Sequence, residues 1–384
     1  MHRTPARTPA RVAVVGAGPG GLTCARVLQR HGVEVTVHDL GAAPAARDQG
    51  GSLDMQAGTG QYALRAAGLW EKFGALARPE GERTRLLGRD GKTLFDAVPP
   101  REGQGNPEID RGQLRDLLLD SLAPGTVRWG HKLERAEPLG AGRHRLHFAN
   151  GETAETDLLV GADGAWSRVR RLLSDAVPVY TGVTFVETGL NEAEARHPEL
   201  AALTGEGTMM ALDDNLGLVA QRNSGGHIRV YAGMRTPEDW HRRAGVDLAE
   251  PAAVRAALLE RFAGWSPALR GFLTETDTGY VNRPLYALPV PHTWEHTEGV
   301  TLLGDAAHLM SPFSGMGANL AMRDGADLAQ ALAGHPEPDE AVTAYEKILL
   351  PRSTEAAEGA AEGIESAFAP DSAEQVLAHL TGRH

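Results

Sequence analysis

Gly16-Ala17-Gly18-Pro19-Gly20-Gly21 is the stretch on which the fold of this chain turns. It follows Arg11-Val12-Ala13-Val14-Val15, a short β-branched run that reads as a buried parallel strand. It precedes Leu22 to His31, where Leu22, Ala25 and Leu28 recur at helical spacing, and Gly32 suits a left-handed cap. Val33 to Val37 alternates and is β-branched, so a second strand completes a βαβ unit. The glycines at 16, 18 and 21 fit G-x-G-x-x-G. Gly16 permits a tight turn, Gly18 lets the backbone approach a pyrophosphate, and Gly21 lets the helix lie close to the sheet. The helix N-terminus then offers N–H groups to phosphate. Asp39 ends the second strand 18 residues after Gly21, where an acid for a ribose is expected. The glycines alone would be a tight turn. With a strand before, a helix after and an acid at this distance they are a dinucleotide loop, which by itself does not separate NAD from FAD.

A second loop pair separates them. Val300 to Leu303 reads as a buried strand running into Gly304-Asp305-Ala306-Ala307-His308. A carboxylate just past a strand end lies in the ligand crevice of an α/β sheet and can accept hydrogen bonds from a polyol chain. Pro312-Phe313-Ser314-Gly315-Met316-Gly317-Ala318-Asn319 follows, with small residues before a helix start that form a backbone cradle for an electron-rich ring edge. The alternative is a plain turn with glycine caps. A third loop, Gly161-Ala162-Asp163-Gly164-Ala165-Trp166-Ser167-Arg168, follows the strand Leu158 to Val160 and in isolation is an ordinary turn and N-cap.

The rest of the chain divides by period. Helices are expected over Gly58–Gly68, Asp110–Leu122, Pro251–Phe262, Pro267–Leu273 and Asn319–Leu332, and over Glu337–Ala369 with a break at Pro351. Strands are expected at Val127–Trp129, His144–Phe148 and Asp157–Val160, with Gly151 in an Asn-Gly turn between two of them. From about Val177 the runs Val183–Thr188, Leu216–Ala220 and Ile228–Met234 alternate like an antiparallel sheet.

With 384 residues, 42% of them hydrophobic, the chain can bury two cores. A net charge of -12 argues against nucleic acid as a partner. No apolar run approaches the ~18 residues of a membrane span. The segment Met1–Ala10 lacks an apolar signal core and reads as a disordered leader, so a cytoplasmic protein is expected. Cys24 stands alone and cannot form an internal disulfide, which suits a reducing compartment. No metal site is expected: His292 and His296 are four apart but have Pro291 beside them and no helping carboxylate. Trp240 and Trp265 read as core, and His308 as a local hydrogen-bonding residue.

These three loops resemble the fingerprint, Asp-Gly and Gly-Asp motifs of the single-component FAD aromatic hydroxylases of the para-hydroxybenzoate hydroxylase type. The likeness runs from Arg11 to about Pro370. Within that group the chain is similar to the tetracycline-inactivating flavin monooxygenases. That similarity rests on Gly50-Gly51-Ser52-Leu53-Asp54, Asn106-Pro107-Glu108-Ile109-Asp110-Arg111 with Leu114-Arg115, Thr236-Pro237-Glu238-Asp239-Trp240, and Gly304 to Met310 with Pro312-Phe313. The resemblance implies an α/β fold. A Rossmann-like FAD-binding domain would use residues 11–74, 100–176 and 282–334. A substrate domain on an antiparallel sheet would use 75–99 and 177–281, with a long C-terminal helix and tail over 335–384.

It also implies site roles. Asp39 would bind the adenosine ribose, Asp305 the ribityl chain, and Asp54 and Arg111 the FAD. Arg47 would contact the nicotinamide cofactor or flavin, and Asp163 would serve flavin and NADPH. Gly315, Gly317 and Asn319 would complete the cradle. Arg111 and Arg115 are one helical turn apart and share a face that can favour an anionic reduced flavin or guide a phosphate, or else is a solvated face. Glu187, Thr208 and Arg229 align near the family's substrate contacts, and Pro312, Phe313 and Met316 would wall the site or pack as core. The chain has Asp39-Leu40 where the family often has Glu-Arg, and Met316 where it often has Gln. The implied activity is hydroxylation of a small aromatic or polycyclic substrate, tetracycline-like or an aromatic polyketide, with NADPH and O2 through a flavin C4a-hydroperoxide. No side-chain nucleophile is required, Arg111 is supporting, and a monomer is expected. The rivals are a flavin dehydrogenase or reductase without oxygen transfer, and a noncatalytic FAD protein that sequesters a ligand.

Overall fold

A computed structural model describes residues 11–44, 46, 50–97 and 105–382. The expected leader and Arg47 lie outside those residues. Five parallel strands form the first sheet, in the order Val300–Leu302, Leu158–Gly161, Val12–Val15, Val35–His38, Val127–Arg128. Val12–Val15 and Leu158–Gly161 are buried at every position, because helices and loops cover both faces; this is why they read as continuous apolar runs. The helix Pro19–Arg30 starts directly after Gly18, with proline in its first turn, where a missing N–H costs nothing. It packs on the helix Gly317–Gly334 at backbone contact. A Cβ on Gly20 would stand 2.6 Å from the Ala321 carbonyl oxygen, and one on Gly325 2.3 Å from that of Gly20. Two glycines thus bind the N-terminal unit to a helix three hundred residues away.

The second sheet has seven strands, ordered Val281–Ala287, Val179–Leu190, Ile228–Arg235, Leu216–Arg222, Thr208–Asp213, Thr84–Leu87, Thr93–Ala97. Its pairs are antiparallel except for the parallel contact between Thr208–Asp213 and Thr84–Leu87. One pleat puts Val186, Val230, Ala232, Met234, Leu218 and Met209 against helices that contribute Leu258, Phe262, Leu269 and Phe272, with Trp240 and Trp265. Each such buried side chain contributes about 2 kcal/mol. The other pleat carries Phe185, Glu187, Arg229, Tyr231 and Gln221. It faces the first unit: a Cβ on Gly51 would meet Gln221 Oε1 and Tyr231 Oη at 2.4 and 2.9 Å.

Three expectations change. The domain break expected at residue 282 falls inside the strand Val281–Ala287, which pairs with Val179–Leu190 and so continues the second sheet. The Asn150-Gly151 turn joins Arg143–Phe148 to Thr153–Thr156 in a separate three-stranded sheet, because Thr153–Thr156 intervenes before Leu158–Gly161. The break expected at Pro351 is absent: one helix runs Pro338–Ala367. Packing outweighs the lost hydrogen bond there. Tyr345 and Leu349 lie in the first core, Ile364 and Ala367 pack beside Val183 and Phe185 of the second sheet, and Arg352 is clamped to Asp324 and Asp327 at 2.9 and 2.7 Å. The helix therefore spans both sheets. Among the described residues, no helix is long and apolar enough to cross a membrane.

Candidate active site

The parallel sheet presents its C-terminal edge as one crevice. Adjacent strands end in Gly304-Asp305, Asp163, Gly16–Gly18 and Asp39. Ligands of open α/β sheets bind at that edge. Gly16 has φ +111°, and a Cβ there would lie 2.1 Å from the Ala162 carbonyl oxygen. A Cβ on Gly21 would lie 2.2 Å from the Gly16 carbonyl oxygen. Gly18 differs: nothing lies within 4 Å of its added Cβ, so the space over it is open to a ligand. Asp39 is buried, and its carboxylate accepts the Ala17 and Gly41 N–H groups at 2.8 and 2.7 Å. Asp305 stands exposed at the crevice, on the turn after Gly304.

Asp163 faces inward. Its carboxylate accepts the Arg168 N–H at 2.6 Å and the Ser167 hydroxyl, so it caps its own turn, and burial raises its pKa. Arg170, which the sequence reading did not single out, is buried and ties this loop to the next. It donates to the carbonyls of Ala165 and Ala306 at 2.6 and 3.0 Å. Its signal was the second arginine of Ser167-Arg168-Val169-Arg170, too regular a charge pattern to separate from solvated surface.

Arg111 and Arg115 part company. Arg111 is exposed beside Gly50, whose added Cβ would lie 3.5 Å from Arg111 Cδ. Arg115 is buried; its Nε donates to the Ala17 carbonyl at 3.3 Å, it bonds Pro44, and its guanidinium lies 5.3 Å from the Trp129 ring. One braces the glycine loop from below, while the other is open to the crevice.

Asn319 organises the cradle. Its Oδ1 accepts the Gln56 and Gly60 N–H groups at 3.0 and 3.2 Å, and its Nδ2 donates to the carbonyls of Asp54 and Gly315 at 2.7 and 3.3 Å. This explains why the helix expected over Gly58–Gly68 opens as a wide π-turn, Ala57–Gln61, before Tyr62–Ala67. The Asp54 carboxylate lies 3.6 Å from an added Gly315 Cβ, and burial raises its pKa. Behind the Gly304 turn, fully buried Asp324 accepts the Gly304 N–H at 3.0 Å and faces His308 Nε2 at 2.7 Å. Burial opposes charge on both, yet the pair's mutual attraction and hydrogen bond prevail, so His308 is raised and Asp324 lowered.

Across the crevice, Glu187 is paired with Arg229 and with Arg283, whose Nε lies 2.9 Å away. Tyr231 lies beside this cluster, its hydroxyl pKa raised by burial and then by the Glu187 charge. Thr208 is in register with Gln221 on the same pleat. Phe313 packs edge-on to Phe185 and Phe368, at 5.9 and 5.5 Å between centroids, and Met316 packs with Met310, Leu320 and Ala360. Tyr231 was findable as the residue two beyond Arg229. Arg283 was hidden because its strand was assigned to the other unit. His292 and His296 do not converge: His292 contacts Ala307 and Ser174, and His296 contacts Glu346 and Asp339.

The family described as FAD binding domain matches residues 9–201 and 290–360. This chain belongs to that family. It is 32% identical to monooxygenase penA of Penicillium thymicola over 95% of this chain and 97% of that protein. It is 31% identical to 3-amino-4-hydroxybenzoate 2-monooxygenase of Streptomyces cremeus, over 95% and 89%. The structure of tetracycline destructase Tet(55) shares the fold, with TM-score 0.74 and 20% identity over 98% of this chain and 95% of that one. The chain is thus a flavoprotein monooxygenase of the FAD binding domain family. The match skips 202–289, which carries four of the second sheet's seven strands, among them Ile228–Arg235 with Arg229 and Tyr231. The crevice fits FAD: open space over Gly18, an exposed Asp305 carboxylate, and a Gly315 cradle walled by Asp54.

Proposed function

We propose that this flavoprotein uses NADPH and O2 to hydroxylate a small aromatic or polycyclic substrate bearing acidic hydroxyl groups, such as a tetracycline-like compound or an aromatic polyketide. The observation that carries it is the pleat formed by Phe185, Glu187, Arg229 and Tyr231, facing the Gly50-Gly51 turn and the Phe313–Gly315 cradle. Aromatic walls suit a flat ring system, and a carboxylate between two arginines can orient its hydroxyl groups. The named substrate of the Streptomyces relative, an aminohydroxybenzoate, is of this class.

Bound FAD supplies the electron transfer and oxygen activation. Gly16, Gly18 and Gly21, with Asp39, would hold its adenosine and pyrophosphate, while Asp305 would take the polyol chain. Gly315, Gly317 and Asn319, with Asp54 and Arg111, would frame the ring. Asp163 and Arg47 would serve the nicotinamide cofactor. Glu187, Arg229 and Thr208 would orient substrate, and Pro312, Phe313 and Met316 would exclude water.

A panel of hydroxybenzoates, polyphenols and tetracyclines, read by NADPH oxidation, O2 uptake and product mass, tests the reading. Gain of one oxygen by a phenolic member is expected. NADPH oxidation with no oxygenated product from any member would overturn it in favour of a reductase. Failure of NADPH to bleach the flavin at all would favour ligand sequestration.

A further inference from the structure

Beside the crevice lies a group of carboxyls in which only Asp54 has so far been given a role. The strands Ser52–Asp54 and Glu108–Asp110 form an antiparallel ribbon, with Ser52 opposite Asp110 and Asp54 opposite Glu108. Leu53 and Ile109 enter the core, so alternation turns Ser52, Asp54, Glu108 and Asp110 to the other face together. Directly opposed side chains on such a ribbon have Cβ atoms about 5 Å apart.

One arginine faces this row. Arg78 Nη2 lies 2.8 Å from Asp110 and 3.0 Å from Ser52 Oγ, but 4.0 Å from Glu108. Asp110 also accepts the Ser224 N–H at 3.0 Å and the Asn223 side-chain amide at 3.1 Å. The guanidinium is therefore committed to Asp110. Glu108 is only 6% exposed and accepts the Ser52 hydroxyl. Backbone roofs it: a Cβ on Gly81 would lie 3.0 Å from Glu108 Cβ. Glu82, half-exposed on the same turn, feels the Asp54 charge. Carboxyls crowded on one face of a ribbon disfavour one another's charge, and Glu108, the most enclosed of them, is the one that most readily holds a proton. Burial, with Asp54 and Asp110 nearby, takes Glu108 up to about 7 against the opposing pull of Ser52 and Arg78.

We propose that Glu108 is the proton-holding residue of the oxygenation site, acting through Asp54 on the side that faces the Gly315 cradle. The proposal rests on the monooxygenase reading of that crevice. Hydroxylation, S–H + O2 + NADPH + H+ → S–OH + NADP+ + H2O, consumes one proton. The Glu108 carboxyl O–H breaks, its proton passes by way of Asp54 and ends in the product water, and the carboxylate left behind is reprotonated from solvent past Glu82. Glu108 is enclosed by Ser52, Arg78 and Gly81 and would act only through Asp54, so it is a positioning residue for the proton and not a catalytic one.

The test uses the FAD-loaded enzyme and the isosteric variant Glu108→Gln. Infrared difference spectra across the neutral range should show a protonated-carboxyl carbonyl band that titrates near 7 in the wild type and is missing in E108Q. The wild-type rate should fall as pH rises through that midpoint, while E108Q should be about 100-fold slower and flat over the same range, with more hydrogen peroxide released per NADPH. Ser52→Ala should move the infrared midpoint upward, since the lost hydroxyl had favoured the carboxylate. A band that persists in E108Q, or an alkaline limb unchanged in E108Q, overturns the proposal. So does an unmoved midpoint in S52A, which also decides the matter if E108Q does not fold. The infrared titration reads Glu108 without substrate, whereas absence of oxygenated product counts against the function reading alone.

Discussion

Replacing Asn319 by alanine should unfasten the cradle. The amide is 1% exposed and makes four hydrogen bonds, two from the Gln56 and Gly60 N–H groups and two to the Asp54 and Gly315 carbonyls. A net hydrogen bond is worth about 1 kcal/mol, and a buried donor left without an acceptor costs more. Some of the four groups would find water in the enlarged space, so a loss of about 3 kcal/mol in unfolding free energy is expected. Urea unfolding of the apoprotein, followed by tryptophan fluorescence, measures it. Because the freed segment carries Asp54, FAD affinity should fall about tenfold, the equivalent of 1.4 kcal/mol, in a flavin-fluorescence titration. A loss under about 0.5 kcal/mol with unchanged FAD affinity would refute the assignment of Asn319 as the cradle's fastening.

Two substitutions in one loop should separate folding from binding. Gly18→Ala meets no atom within 4 Å, so the apoprotein should keep its stability within about 0.5 kcal/mol while FAD affinity drops, and equal affinity would count against a ligand over Gly18. Gly21→Ala would force a Cβ to 2.2 Å from the Gly16 carbonyl oxygen, so the purified protein should retain no flavin colour. The buried pair His308 and Asp324 sets a pH window. His308 is raised, so its contribution is complete below 6.5 and is lost as pH rises through its folded value. Asp324 is lowered, so its contribution is complete above 3.8 and is lost as pH falls through its folded value. Thermal midpoints should therefore decline on the alkaline side, and His308→Asn should flatten that decline; an identical slope in the variant would refute the assignment.

The parallel unit was legible because its signals are local. Gly16, Gly18 and Gly21 fall within one βαβ unit at a spacing the chain itself displays, although the carbonyl that Gly16 must clear belongs to the distant Ala162, and the buried strands are continuous apolar runs. The cradle was legible as glycines at 315 and 317, but its fastening was not: Asn319 reaches residues 54–60 across the chain, and no spacing rule links them. The Ser52–Asp54 and Glu108–Asp110 ribbon escaped for a similar reason, since three-residue strands offer too few alternations to register. Pro351 misled because helix propensity ignores the Arg352 clamp and the cores at either end. Arg111 and Arg115 share a face by period, yet the glycine loop pulls one inward and leaves the other outside.

The two-faced sheet separates heritable tasks by parity. Along Val179–Leu190 and Ile228–Arg235, even-numbered residues such as Val186, Val230 and Ala232 serve the helical core, and odd-numbered ones such as Phe185, Glu187, Arg229 and Tyr231 face the crevice. Substitutions at Glu187, Arg229 and Tyr231 on one parity therefore leave the even-numbered contacts with the helical core in place. A combinatorial library restricted to Glu187, Arg229 and Tyr231 would explore new chemistry while leaving the helical core, and the contacts of Val183 and Phe185 with Ile364 and Phe368, in place.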